Sequence, residues 1–209
     1  MAPPNFHGVS FKYDAFSCHP MKGDPMFRLT SLMLLLTAAL SGFAADTYEF
    51  DTAHSSVMFN VEHNTVGMAF GRFNKYEGTA DFDGDKLTNV KVTIDTASID
   101  SGNEKRDGHL RKPDFFNAVE FAQITFQSTS VKVEAGKTMV TGDLTMVGTT
   151  KPVTFELSTK GPVDGRGEAK IRGIHGQAVI KRSDFGITYG MGGIGDDVTI
   201  TIALEVVKE

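Results

Sequence analysis

Cysteine is all but missing from this chain: 209 residues hold one, Cys18. A lone thiol excludes an internal disulfide framework and a multi-cysteine metal centre. Tryptophan is absent, and four of the seven prolines fall before residue 26. No run of lysine and arginine interrupts the mild acidity of 21 basic against 26 acidic residues, which argues against a nucleic-acid partner. The longest apolar run, Leu29 to Leu40, has 12 residues, too few to span a bilayer, so no stable membrane insertion is expected. What the chain does have is phenylalanine, at 16, and glycine, at 22, a mixture suited to strands and turns.

The apolar run has a processing signature around it. Met26-Phe27-Arg28 supplies a charged start, and Gly42 and Ala44 place small residues at −3 and −1 of a cut after Ala44. Residues 26–44 therefore read as a secretory signal peptide. Residues 1–25 show no periodicity and contain Met21; they read as a non-native upstream extension, with translation starting at Met21 or Met26. The mature domain is then 45–209, which has no cysteine, so thiol catalysis is excluded as well.

From Asp46 onward, alternation with a period of two dominates. Val57, Phe59 and Val61 alternate with Met58, Asn60 and Glu62; Val153, Phe155 and Leu157 oppose Thr154, Glu156 and Ser158. Val198, Ile200, Ile202, Leu204 and Val206 make five apolar positions on one side of the last strand. With turn signals at Asp83-Gly84, Ala135-Gly136, Gly148 and 161–165, the pattern predicts strands over 47–51, 54–63, 67–82, 88–96, 121–134, 138–147, 151–161, 168–182 and 196–207. Within 67–82, Phe70, Phe73 and Tyr76 change phase, which predicts a bulge near Arg72 to Asn74. Only Asn103 to Asn117 reads otherwise, as one or two helical turns ended before Pro113, followed by Phe115-Phe116. Many strands and one short helix imply a single all-β domain, an antiparallel barrel or a sandwich, with the insert lying over the sheet as a plug.

Catalytic constellations are sparse. His54, His63, His109 and His175 form no i, i+4 helix pair, so no metal site is expected. Asp107-Gly108-His109 could set an acid against an imidazole, but no nucleophile is specified beside it, and no G-x-S-x-G occurs. The glycine-rich stretch 186–195 precedes no helix and reads as a rim loop rather than a phosphate cradle. No catalytic residue and no cofactor are expected.

A series of blocks runs along the mature chain: Tyr48-Glu49-Phe50-Asp51-Thr52-Ala53-His54-Ser55, Val61-Glu62-His63, Gly71-Arg72-Phe73, Arg106-Asp107-Gly108-His109-Leu110, Asp114-Phe115-Phe116-Asn117, Ile124-Thr125-Phe126, 142–153 and 181–187. In this order they resemble the YceI-like family, lipocalin-like periplasmic binders of polyisoprenoids and similar amphiphiles. Tyr48 stands where relatives often carry tryptophan. The resemblance implies an extended antiparallel lipocalin-like β-barrel, periplasmic location, dimers in some members, and a long interior pocket for a polyisoprenoid, an isoprenoid quinone or a fatty-acid-derived lipid. On that reading Phe59, Phe70, Phe73, Leu110, Phe115, Phe116, Phe121, Phe126, Leu144, Phe155 and Phe185 contact the apolar tail. Arg106, His109 and Arg182 approach a polar head, unless Asp107 pairs with Arg182, or Arg106 with Asp184, to pin plug to barrel. The rival readings are a stress-protective envelope protein with a filled barrel and a hydrolase centred on His109 and Asp107.

Overall fold

In a computed structural model, whose described residues are 45–209, the alternating segments become ten strands joined in one antiparallel sheet. They are β1 (Asp46–His63), β2 (Gly67–Phe73), β3 (Tyr76–Asp83), β4 (Lys86–Asp95), β5 (Ile99–Asp100), β6 (Gln123–Glu134), β7 (Lys137–Met146), β8 (Thr149–Asp164), β9 (Lys170–Lys181) and β10 (Ile194–Lys208). The one α-helix among the described residues, α1 (Glu104–Leu110), lies between β5 and β6, within the insert expected to be helical. Pairing of β10 with β1 closes the ring β1-β3-β4-β6-β7-β8-β9-β10, an eight-stranded barrel rather than a sandwich. The expected signal peptide (26–44) and upstream extension (1–25) lie outside the described residues.

β1 is long enough to serve two neighbours on one side. β3 pairs with its first residues, Asp46 to Glu49, and β2 with Val57 to His63. This arrangement corrects the expectation of one bulged strand over 67–82. The chain instead breaks at Asn74-Lys75, where the Asn74 amide donates to Asp100 (3.0 Å) and the Lys75 N–H to Ser98 Oγ (3.0 Å), and then rejoins β1 lower down. The break absorbs the phase change of Phe70, Phe73 and Tyr76. The irregularity falls elsewhere: the expected strands 47–51 and 54–63 are one strand, with a register shift between Asp51 and Ser56.

That shift is held by side chains. Asp51 accepts from the Ala53 N–H (2.9 Å) and pairs with His54 Nδ1 (2.8 Å), while Ser55 Oγ accepts from the Glu205 N–H (2.9 Å). The hydrogen bond to Asp51, aided by the charges of Asp51 and Glu205, raises the His54 pKa; the same bond lowers that of Asp51. The pair's contribution is thus present below the ordinary imidazole value and lost as pH rises through the raised one, and it is lost again as pH falls through the lowered Asp51 value. Titrating the imidazole by NMR is expected to give a His54 midpoint above ~6.5, returning toward it in Asp51→Asn.

One end of the barrel is sealed. Tyr48, Phe82, Leu87, Ile174 and Val206 are buried there around Arg172, which is itself 4% exposed. Its guanidinium carbon sits 4.4 Å from the Phe82 ring centre, and its Nη2 donates to Gly84 O (2.7 Å) and Asp85 Oδ1 (3.0 Å). A charge can be buried here because an aromatic face and oxygen acceptors on Nη1 and Nη2 replace most of its hydration, Nε alone being buried without a hydrogen-bond partner.

The opposite end is covered by the segment between β5 and β6. Asn103 caps α1 by accepting the Arg106 N–H (3.0 Å). Buried Asp107 accepts from the N–H and hydroxyl of Ser101, and Arg111 donates to Ala97 O (2.7 Å) and Ile99 O (2.9 Å). Phe116 then drops in edge-on to Phe73, ring centres 5.8 Å apart. The plug is therefore pinned through Ser101, Ala97 and Ile99. Neither an Asp107–Arg182 nor an Arg106–Asp184 ion pair occurs among the described residues; Asp107 and Arg106 both turn to Ser101 instead.

Candidate functional site

Between the floor and the plug lies a cavity of about 490 Å³, within the usual range for small-molecule sites. Its walls follow from strand alternation. β4 supplies Val90, Val92 and Ile94; β7 supplies Val140, Leu144 and Met146; β8 supplies Phe155 and Leu157; β10 supplies Ile200, Ile202 and Leu204. Polar side chains on the lining are few: His63, Ser101, Arg106, His109, Arg182 and Tyr189, all from the end covered by the plug. Such a space can desolvate a long apolar group and meet a polar one only at its mouth.

Nine of the apolar residues expected to contact a tail line this cavity: Phe59, Phe70, Phe73, Leu110, Phe115, Phe116, Phe126, Leu144 and Phe155. Phe121 and Phe185 do not. The Phe121 ring lies over Gly148, where an added Cβ would come within 2.8 Å of it, just before β6 begins. Phe185 is buried in the short 3₁₀ turn Arg182–Phe185 that caps the end of β9, in the core but off the lining. Both sit just outside regular strands, where alternation no longer fixes the direction of a side chain.

The three residues expected at a polar head differ in their freedom. Arg106 directs Nε to Ser101 Oγ (2.7 Å) and Nη2 to Ser101 O (2.7 Å), and lines the mouth. His109 Nε2 lies 3.0 Å from Asp114 Oδ2, with Phe115 and Tyr189 packed edge-on at 5.0 and 5.1 Å. The acid beside this imidazole is Asp114, not Asp107. Arg182 is committed elsewhere. Nε donates to Gly195 O (2.7 Å), Nη1 to Ile187 O (3.0 Å) and Tyr189 O (2.8 Å), and Nη2 to Ile194 O (2.9 Å) and Met191 Sδ (3.1 Å). These five contacts use all five donors of the guanidinium and fold the glycine-rich stretch into a rim. Burial lowers the Arg182 pKa, with the Asp196 charge opposing. Its physical role is to hold the loop that presents Ile187, Tyr189 and Ile194 to the cavity.

Tyr189 and Ser101 are lining residues that the sequence reading missed, because both lie in segments without periodicity. Outside the cavity, Asp51, His54 and Glu205 bring three ligand-type atoms within 4.8 Å on the barrel's outer surface. Ser183 donates its hydroxyl to Asp196 Oδ2 (2.8 Å), so this serine is held in a structural contact.

Comparison with known proteins agrees with this architecture. The model of the YceI-like domain matches residues 48–206. Protein YceI of Salmonella newport is 36% identical over 187 residues, covering 88% of this chain and 96% of that protein, and the Salmonella arizonae protein matches equally. Among solved structures, Burkholderia cenocepacia BcnA superposes with a TM-score of 0.67 at 29% identity, over 75% of this chain and 98% of that one. The Campylobacter jejuni YCEI protein gives 0.64 at 29% identity, over 71% and 90%. A polyisoprenoid-binding domain from Saccharophagus degradans gives 0.60 over 76% and 97%, but at 16% identity that likeness speaks to the fold alone. With the family's domain matched over nearly the whole barrel, this chain belongs to the YceI-like family.

Proposed function

We propose that the protein is a non-catalytic carrier of a long-chain amphiphile, exported to the periplasm. The bound molecule is a polyisoprenoid, an isoprenoid quinone or a fatty-acid-derived lipid, with its apolar chain inside the barrel. The observation that carries this reading is the cavity itself: an apolar space of about 490 Å³, sealed at one end by Arg172 and its aromatic partners. Filling it with a chain is favourable at roughly 0.8 kcal/mol per buried methylene, so about ten methylenes supply ~8 kcal/mol before ordering costs. Each further methylene adds the same increment, so the length of the chain rather than a charged clamp carries the affinity. Arg106 and His109 remain the groups best placed to meet a head, and export rests on the pattern at 26–44.

Phe116 tests the reading at the plug. It is partly buried against Phe73 and faces the cavity. Phe116→Asp sets a carboxylate where the chain should lie, and is expected to weaken binding of a prenyl or acyl probe by about tenfold or more with the barrel intact. Lipid load in extracts and circular dichroism measure the two halves of that statement. An unchanged load in a folded variant refutes it.

A further inference from the structure

Asp51-Thr52-Ala53-His54-Ser55, within the first block of the sequence, takes no part in lining the cavity. Its register shift is a large one. Residues 52–55 of β1 stand against Leu204 alone, between the pairs Asp51↔Glu205 and Ser56↔Ala203. The slack turns His54 back beside Asp51, and the pairing sets Glu205 directly across from Asp51 on the outer face. His54 Nδ1 is then 2.8 Å from Asp51 Oδ2 and 3.9 Å from Glu205 Oε1, with the three ligand atoms all within 4.8 Å of one another. A point equidistant from three atoms so spaced lies no more than about 2.4 Å from each, against the roughly 2.0–2.2 Å of zinc–nitrogen and zinc–oxygen bonds. Small side-chain rotations close that difference.

Charge and shape around the trio suit a cation. The hydrogen bond to Asp51, with the charges of Asp51 and Glu205, raises the His54 pKa, and a dication competes for the same nitrogen in the same field. A second imidazole stands one strand further on. Gly173 of β9 pairs with Glu205, and the His175 ring lies over this glycine, 3.0 Å from where a Cβ would sit. A side chain at 173 would push that ring away; glycine lets it lean along the outer face toward the row of Glu205. Imidazole and carboxylate are ligands that zinc takes without cysteine. We infer that Asp51, His54 and Glu205 bind one zinc ion on the outer face of the β1–β10 seam, with water completing the tetrahedron beside His175. The ion joins the first strand of the barrel to the last, and so staples the pairing that closes the ring. This site is independent of the lipid in the interior.

Untagged protein dialysed against EDTA is titrated with zinc chloride in competition with a chromophoric chelator. The wild type is expected to take up one equivalent. His54→Gln and Glu205→Gln, close in shape to the residues they replace, each weaken uptake by about thirtyfold or more. Circular dichroism of the metal-free variants shows whether the barrel is intact, so that lost uptake reports lost ligands. Zinc at about a hundred times its dissociation constant should raise the wild-type melting midpoint by about 7 °C, and those of the variants by less than half as much. Wild-type affinity in either folded variant places the ion on other side chains and overturns the site. So does a wild type that takes up no zinc against the chelator. A wild type that binds zinc but melts at an unchanged temperature overturns the staple, because the unfolded chain then holds the ion equally well.

Discussion

Arg182→Met lowers the thermal midpoint by about 10 °C and weakens ligand binding in the same protein. The magnitude follows from what the guanidinium does. It is 5% exposed and serves four carbonyl oxygens and the Met191 sulfur, all within residues 187–195. Methionine fills much of the space and satisfies none of these acceptors. Each carbonyl left buried costs about 1–3 kcal/mol, though some regain water at the rim. A loss of about 3–5 kcal/mol, at roughly 2–4 °C per kcal/mol for a domain of this size, gives the stated shift. Binding suffers because Ile187, Tyr189 and Ile194 lose their fixed places on the lining. Arg182→Lys, with one ammonium for five acceptors, recovers only part of both losses. Amide exchange over 186–195, faster in Arg182→Met while the strands stay protected, separates a loosened rim from global unfolding. A direct role at the ligand's head would instead leave the midpoint and the loop's exchange unchanged and reduce affinity alone.

Stripping the bound amphiphile has an effect of comparable size. A ligand present at about a thousand times its dissociation constant adds about 4 kcal/mol to the native state, which for this domain corresponds to about 10 °C. Delipidated protein should melt lower by that amount, and a prenyl or acyl compound that fits should restore the loss in proportion to the logarithm of its concentration. The physical reason is that Val140, Leu144, Phe155 and their neighbours on the lining exchange contacts with the chain for an unfilled space. A barrel that is merely filled by its own side chains shows the same midpoint before and after extraction.

Strand alternation made most of the wall legible from the sequence. Phe126 and Phe155 are expected inside because their neighbours are polar, and the cavity lining contains both. Alternation is a property of any half-buried sheet, however, so it leaves barrel and sandwich open; the family resemblance implies the barrel, and the pairing of β10 with β1, a contact across more than a hundred residues, bears it out. The phase change between Phe73 and Tyr76 was visible too, but a bulge and a chain break leave the same trace in sequence. Only the shared pairing along β1 distinguishes them.

The site's edges were the least legible part. Phe121 and Phe185 carry the same side chain as Phe155 but sit at strand ends, so composition placed them with the ligand and local geometry did not. Arg182 looked available because nothing in the sequence shows that a loop of glycines will turn its carbonyls inward around it. Positive φ at Gly186, Gly190 and Gly192 lets the chain do so. Phe70 is expected inside through a bulge that reconciles it with Phe73, but the unbroken register of β2 along β1 puts the two rings on opposite faces, and Phe70 borders the cavity from the outer one.

Native mass spectrometry of the protein purified from the cells that make it, with lipid extraction of the same sample, bears most directly on the carrier function. A discrete added mass that matches an extracted prenyl or acyl compound, and that disappears on extraction, is the expected result. Protein that carries no added mass, and that also fails to take up isoprenoid quinones, prenyl phosphates and fatty amides on titration, would contradict it.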